Sequence, residues 1–128
     1  MTTNSPPSAS DDARAAFELL HPEVRRWVHD RGWASLRDIQ VRSIHEVRGS
    51  PTADVLISAS TAAGKTEAAF LPALSAVAED GGDGLGILYV APLKALINDQ
   101  FGRLETLCDR LGLPLVRWHG DAPDAPKQ

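Results

Sequence analysis

Apolar residues recur along this chain in two rhythms, and the change from one to the other marks out its elements. Phe17, Leu20, Val24, Trp27 and Val28 fall at the three- and four-residue spacing of one helix face. Pro22 suits the first turn of the second segment of that stretch, and Gly32 is a stop. Ser35-Leu-Arg-Asp38 has the form of a capping box, with Asp in place of Glu, and opens a second helix whose stripe is Leu36, Ile39, Ile44 and Val47. Gly49-Ser-Pro51 ends it. Asp54-Val-Leu-Ile-Ser58 is short, apolar and β-branched, as a buried parallel strand would be.

After a loop of small residues, Ala59-Ser-Thr-Ala-Ala-Gly64, the pattern predicts a helix from Lys65 to about Glu79, with Phe70, Leu71, Leu74, Val77 and Ala78 inward. Pro72 should kink it or mark a short first turn. Gly86-Ile-Leu-Tyr-Val-Ala91 reads as a second buried strand. Leu93, Leu96, Ile97, Phe101, Leu104, Leu107, Cys108 and Leu111 trace a further helix face that ends at Gly112, and Leu115-Val-Arg-Trp118 reads as a third strand. Strands alternating with helices imply an α/β fold: a parallel sheet covered on both faces, here preceded by two helices. Residues 1–12 have no apolar periodicity and read as a disordered leader before a single domain over 13–128. The segment from Asp121 to Gln128 reads as a loop cut short.

The remaining chemistry narrows the classes. With 128 residues, 43% hydrophobic and 23% charged, the composition is that of an ordinary globular domain. A formal net charge of −4 argues against a simple basic coat protein for nucleic acid, though not against a few local strand contacts. No apolar run reaches the ~18 residues of a membrane span. The first residues have neither the basic region nor the apolar core of a signal peptide, so the expected location is cytoplasmic. The single cysteine, Cys108, excludes a disulfide within one chain and reads as a small core hydrophobe.

The informative segment is Ser58-Ala-Ser-Thr-Ala-Ala-Gly-Lys-Thr-Glu67. It follows an apolar run and opens a helix, the setting of a phosphate-binding loop. Ser60, Thr61, Ala62, Ala63 and Gly64 would bring backbone N–H groups to the phosphates, at the helix end whose dipole favours an anion. Lys65 would hold the β- and γ-phosphates and the Thr66 hydroxyl would coordinate Mg²⁺, with Glu67 completing the segment. The common pattern, Gly-x-x-x-x-Gly-Lys-Ser/Thr, is broken at its first position by Ala59. As an ordinary turn the segment would make a poor choice, because a lysine in the first turn of a helix opposes the dipole unless an anion is there. ATP with Mg²⁺ is the expected ligand.

Ala59, Gly64, Lys65, Thr66 and Glu67 resemble the first motif of superfamily 2 helicases, with Ala62 in place of the inner glycine. Tyr89-Val-Ala-Pro-Leu-Lys-Ala-Leu-Ile-Asn-Asp-Gln100 is similar to that superfamily's motif Ia. By that resemblance Pro92, Lys94, Asn98 and Gln100 would face the backbone of a nucleic-acid strand, a role that helix-end amides suit. Gly32-Trp-Ala-Ser-Leu-Arg-Asp-Ile-Gln40 resembles the upstream segment in which a glutamine reads the adenine edge, although the Pro-Thr pair common before it is missing. Leu20-His-Pro-Glu-Val, Glu67-Ala-Ala-Phe-Leu-Pro and Trp118-His-Gly-Asp121 look most like the Lhr-like branch, which favours DNA over RNA. The resemblance covers residues 17 to 121. It implies a RecA-like P-loop domain whose loop-bearing strand is flanked by strands from later in the family's sequence.

The Asp-Glu motif that holds Mg²⁺ in that family does not occur in these 128 residues; Glu79-Asp80 has the reverse order. The expectation is therefore the amino-terminal ATP-binding portion of an ATP-dependent helicase or translocase, inactive without the remainder of the helicase core. Two rivals are a non-catalytic nucleotide-binding module and another P-loop enzyme such as a nucleotide kinase. His119 and Asp121 are too few for a metal site. Trp27, Trp33 and Trp118 read as packing residues, and Arg25, Arg26 and Arg31 as a solvated helix face.

Overall fold

A computed structural model describes residues 9–33, 35–50, 52–60 and 64–118. Its regular elements are helices: α1 (Ala9–Glu18), α2 (Pro22–Asp30), α3 (Asp38–Gly49), α4 (Lys65–Asp80) and α5 (Lys94–Leu111). The stretch expected as the first helix is divided at Leu19–His21, so three helices rather than two precede the loop. Ala9–Asp12, expected in the leader, form the start of α1. His21 caps the break and ties it to α4. His21 Nδ1 accepts from the Glu23 N–H at 3.1 Å, the His21 N–H donates to Ser75 Oγ at 3.0 Å, and Pro22 takes the first helical position.

The expected parallel sheet is not there. Among the described residues no strand forms, and 54–58, 86–91 and 115–118 are extended without a ladder. Apolar runs of this kind become buried strands only when both faces are covered and a neighbour takes the backbone groups. Here one side at most is covered: Ile87 and Leu115 pack on the helical core. Leu56, Leu88 and Val90 are 93%, 74% and 81% exposed. Gly86 lets the second run lie close against α4, since a Cβ there would stand 2.6 Å from Val77 Cγ1. The pattern reported a tendency to be buried; it did not report a pairing partner.

The helices carry the core. α3 packs most extensively on α4, α1 lies on α3, and α2 bridges to both α4 and α5. Ala16, Leu20, Val24, Trp27, Ile44, Leu71, Leu74, Leu104 and Leu107 are buried together, each large side chain worth about 1.5–3 kcal/mol relative to exposure. On α5 the expected face is inward only from Leu104 onward, while Leu93 and Leu96 are exposed. Trp27 is buried, meets Trp33 edge-on at 6.1 Å and donates to Thr106 Oγ1 at 3.3 Å; Trp118 is exposed. Arg31 lies over the Trp27 ring and Arg26 pairs with Glu23, so that helix face is tied down within α2 itself.

Pro72 sits inside α4 and the helix continues through it. Having no N–H, it leaves the Ala68 carbonyl without its helical partner. Ser43 on α3 supplies one, its hydroxyl donating to Ala68 O at 2.5 Å. The same pairing explains why α3 turns Gln40 and Ser43 inward beside Val41 and Ile44, leaving Ile39 and Val47 only half-buried. The helix begins at Asp38, with Arg37 at the cap: the Arg37 N–H donates to Gln40 Oε1 at 3.0 Å, so the capping residue is Gln40 and not the expected Asp38.

Candidate nucleotide site and strand-binding surface

α4 starts at Lys65 from Gly64, whose φ of 79° is left-handed, a conformation that a side chain would strain. A Cβ on Gly64 would also stand 2.5 Å from Gln40 Nε2, so the end of the Gln40 side chain would have to shift. Gly64, at the N-cap, has no side chain to cap this helix. Its first backbone bond runs from the Ala68 N–H to Gly64 O at 3.0 Å, so the N–H groups of Lys65, Thr66 and Glu67 precede the helical ladder, where an anion is favoured. Lys65 and Thr66 are half-buried and, with Ala69, Phe70 and Ala73 of α4 and residues 87–89, line an open cavity of about 350 Å³. Phe70 and Tyr89 meet there with ring centroids 5.4 Å apart.

Gln40 lies against this turn. It is 2% exposed, accepts from Arg37 N–H, and reaches Gly64 O through Nε2 at a long 3.5 Å. Glu67 is 6% exposed and paired with Arg103 of α5. Ser60 is exposed. The other expected loop residues, Thr61, Ala62 and Ala63, lie outside the described residues, as do residues 1–8 and the segment 119–128 with His119 and Asp121.

Of the expected strand contacts, Pro92 and Lys94 are exposed at the start of α5, and Asn98 is exposed one turn on, where its Oδ1 accepts from Arg117 at 3.3 Å. Gln100 is turned the other way: it is 7% exposed and its Oε1 has no hydrogen-bond partner among the described residues. Arg117 also lies 4.8 Å over the Phe101 ring, beside the same surface. Cys108 is buried, and burial together with Asp109 pushes its thiol pKa up, as expected of a core residue. No group of three potential metal-ligating side chains stands together among the described residues. No helix among the described residues is long and apolar enough to cross a membrane.

Ser43 and Arg103 escaped the sequence reading. Pro72 was a usable signal for the first, because a proline inside a helix leaves a carbonyl that some other donor must satisfy. For Arg103 nothing in the local pattern names a partner 36 residues away.

Gly64, Lys65 and Thr66 stand together at the start of α4, in the order expected of a phosphate-binding loop. The comparison with known families gives the rest: residues 37–128 match the DEAD/DEAH box helicase model, and the chain belongs to that family. It is 38% identical over 93 residues to an ATP-dependent helicase Lhr-Core of Methanothermobacter thermautotrophicus, covering 68% of this chain and 10% of that protein. It is 31% identical over 115 residues to the U5 small nuclear ribonucleoprotein 200 kDa helicase of Caenorhabditis elegans, covering 83% of this chain and 5% of that one. To an ATP-dependent RNA helicase HAS1 of Chaetomium globosum it is 33% identical over 100 residues, covering 75% and 17%. The chain thus spans a small part of the length of these relatives. None of the solved structures matches it significantly.

Proposed function

We propose that this chain is the ATP-binding portion of a helicase or translocase in which Mg-ATP turnover drives movement along nucleic acid. The observation that carries the reading is the Gly64-started α4, whose first turn brings Lys65, Thr66 and the backbone N–H groups ahead of the helical ladder to one helix end. Lys65 grips the terminal phosphates, and the Thr66 hydroxyl and phosphate oxygens hold Mg²⁺, which neutralises charge at the transferring phosphoryl group. The first-turn N–H groups, Glu67's among them, bind the phosphates together with the 60–64 loop. Gln40 stands beside Gly64, and in this reading its Nε2 exchanges the long bond to the Gly64 carbonyl for the adenine edge.

The strand surface is Pro92, Lys94 and Asn98, with Gln100 supporting it from inside. Its cargo is nucleic acid. The Lhr-like resemblance favours DNA, and the HAS1 relative makes RNA the alternative arm of the test. The rest of a helicase core is the required partner, and a cytoplasmic location accords with the lone unpaired cysteine.

Equilibrium titration tests the reading with fluorescent Mg-ADP, then with single strands of DNA and of RNA at several salt concentrations. The expected outcome is nucleotide binding lost in Lys65→Ala. Strand affinity should fall with salt and fall further in Lys94→Ala. Nucleotide binding that survives in Lys65→Ala would overturn the assignment of the loop.

A further inference from the structure

α2 carries its cations on the side away from the core. Val24, Trp27 and Val28 are buried, while Pro22, Arg25, Arg26 and His29 follow at three- and four-residue steps round the outer face. With Phe17 of α1 and Asp30 they line an open groove of about 380 Å³. Phe17 and Pro22 give it an apolar wall, and the charges beside that wall do not cancel. The Glu23 carboxylate is taken by Arg26 at 3.0 Å. The Asp30 carboxylate is taken by Arg110 of α5 at 2.7 Å, with His29 3.7 Å from its other oxygen. Arg25 is half-buried and has no ion pair among the described residues, although the chain as a whole has a net charge of −4. A guanidinium held partly out of water without a counter-charge favours an anion from outside the molecule.

We propose that this groove is a second contact for single-stranded nucleic acid, with Arg25 on a phosphate, Arg26 and His29 beside it, and a base against the Phe17–Pro22 wall. The inference rests on the strand reading above. Phosphate-binding cations next to an apolar surface are what strand binding without sequence preference uses. An acidic peptide would satisfy the charges alone; the wall beside them favours a polymer whose every unit has both a phosphate and a flat base. Asp30 fixes where the groove stands. Its bond to Arg110 ties it to the far part of α5, sixteen residues from Lys94, or about 24 Å along the helix axis. A strand long enough to lie on both surfaces is held at each by its contact with the other, which raises the effective concentration for the second contact.

The test titrates the 128-residue chain with oligothymidylates of about four and about twenty nucleotides, the first too short to reach from one surface to the other and the second long enough. In the native chain the longer strand should bind about tenfold more tightly or better. Arg25→Ala should abolish most of that gain and lower the longer strand's salt dependence by about 0.7 in log–log slope, the loss of one phosphate contact. Tetranucleotide and Mg-ADP affinities should stay unchanged in Arg25→Ala. Arg25→Lys, which keeps the charge, should retain most of the gain, whereas Lys94→Ala should weaken the tetranucleotide. Helix content and melting of each variant separate a lost contact from lost folding, and Arg25→Gln, which keeps most of the stem, carries the test if Arg25→Ala fails to fold. A gain that survives in a folded Arg25→Ala or Arg25→Gln overturns the proposal, as does a native chain that binds both lengths equally. A polyglutamate peptide that removes the gain as effectively, charge for charge, as unlabelled strand also overturns it, since the groove then fits an acidic protein segment. A native chain that binds neither length fails the strand reading itself, while a tetranucleotide bound through Lys94 with no gain in length fails only this inference.

Discussion

Gly64 shows most clearly how single residues set up the site. Its left-handed φ calls for a residue without a Cβ, and a Cβ there would also displace the end of the Gln40 side chain. Gly64→Ala is expected to destabilise the chain by about 1–3 kcal/mol and to weaken nucleotide binding, as read from denaturant midpoints and ADP titration. An unchanged midpoint would mean that the turn relaxes freely. Ser43 makes a quieter contribution. Ser43→Ala leaves the Ala68 carbonyl, already deprived of a donor by Pro72, buried without a partner. The expected loss is about 1–3 kcal/mol, whereas Ala substitution at exposed Arg42 should cost little. Gln40 was legible as a site residue because an amide on an apolar stripe needs partners; its bond to Gly64 was not, since it crosses 24 positions of sequence. A Gln40→Ala variant should lose discrimination between ADP and GDP if its amide reads the adenine edge.

Among the elements, helices were more legible than extended segments for a physical reason. A helix satisfies its backbone internally, so a stripe such as Phe70, Leu71 and Leu74 both predicts α4 and suffices to form it. An extended run such as 86–91 depends on a partner that its own residues do not encode, and the structure gives it α4 on one side and exposure on the other. Helix divisions were lost where capping rather than hydrophobicity decides, as at His21 and Arg37.

The join between α2 and α5 gives a test with a pH dependence. The Arg110 hydrogen bond holds the Asp30 carboxyl below its ordinary pKa. A depressed carboxylate contributes stability above its unfolded pKa and loses it as pH falls through the lower folded value. The bond is exposed and its contribution small. An NMR titration of Asp30 should show a midpoint below about 3.9, rising toward that value in Arg110→Ala. Cys108, buried on α5 with its thiol pushed up, should react with a thiol reagent only slowly until denaturant opens the core.

Taken whole, the molecule is a helical core with an apolar fringe. Leu56, Leu85, Leu88, Val90 and Trp118 are between 73% and 93% exposed, more than scattered surface residues usually present. A native chain of this kind should bind a hydrophobic dye, and Leu88→Lys with Val90→Lys should reduce the signal without lowering helix content. At this scale the sequence showed the family through residues bearing chemistry, Gly64-Lys65-Thr66 and Ala91-Pro-Leu-Lys94, while the arrangement of the extended runs was not legible in their composition. The family model and the relatives agree with the first, and the phosphate site remains the feature on which the functional account turns.

Thermal unfolding of the chain with and without Mg-ADP, beside Lys65→Ala, tests that account most directly. Selective binding to the native state must stabilise it, by about 2.7 kcal/mol at a nucleotide concentration one hundred times Kd. The account predicts a cooperative transition whose Tm rises with Mg-ADP in the native chain and stays fixed in Lys65→Ala. A Tm indifferent to nucleotide in both chains, or raised equally in both, would contradict it.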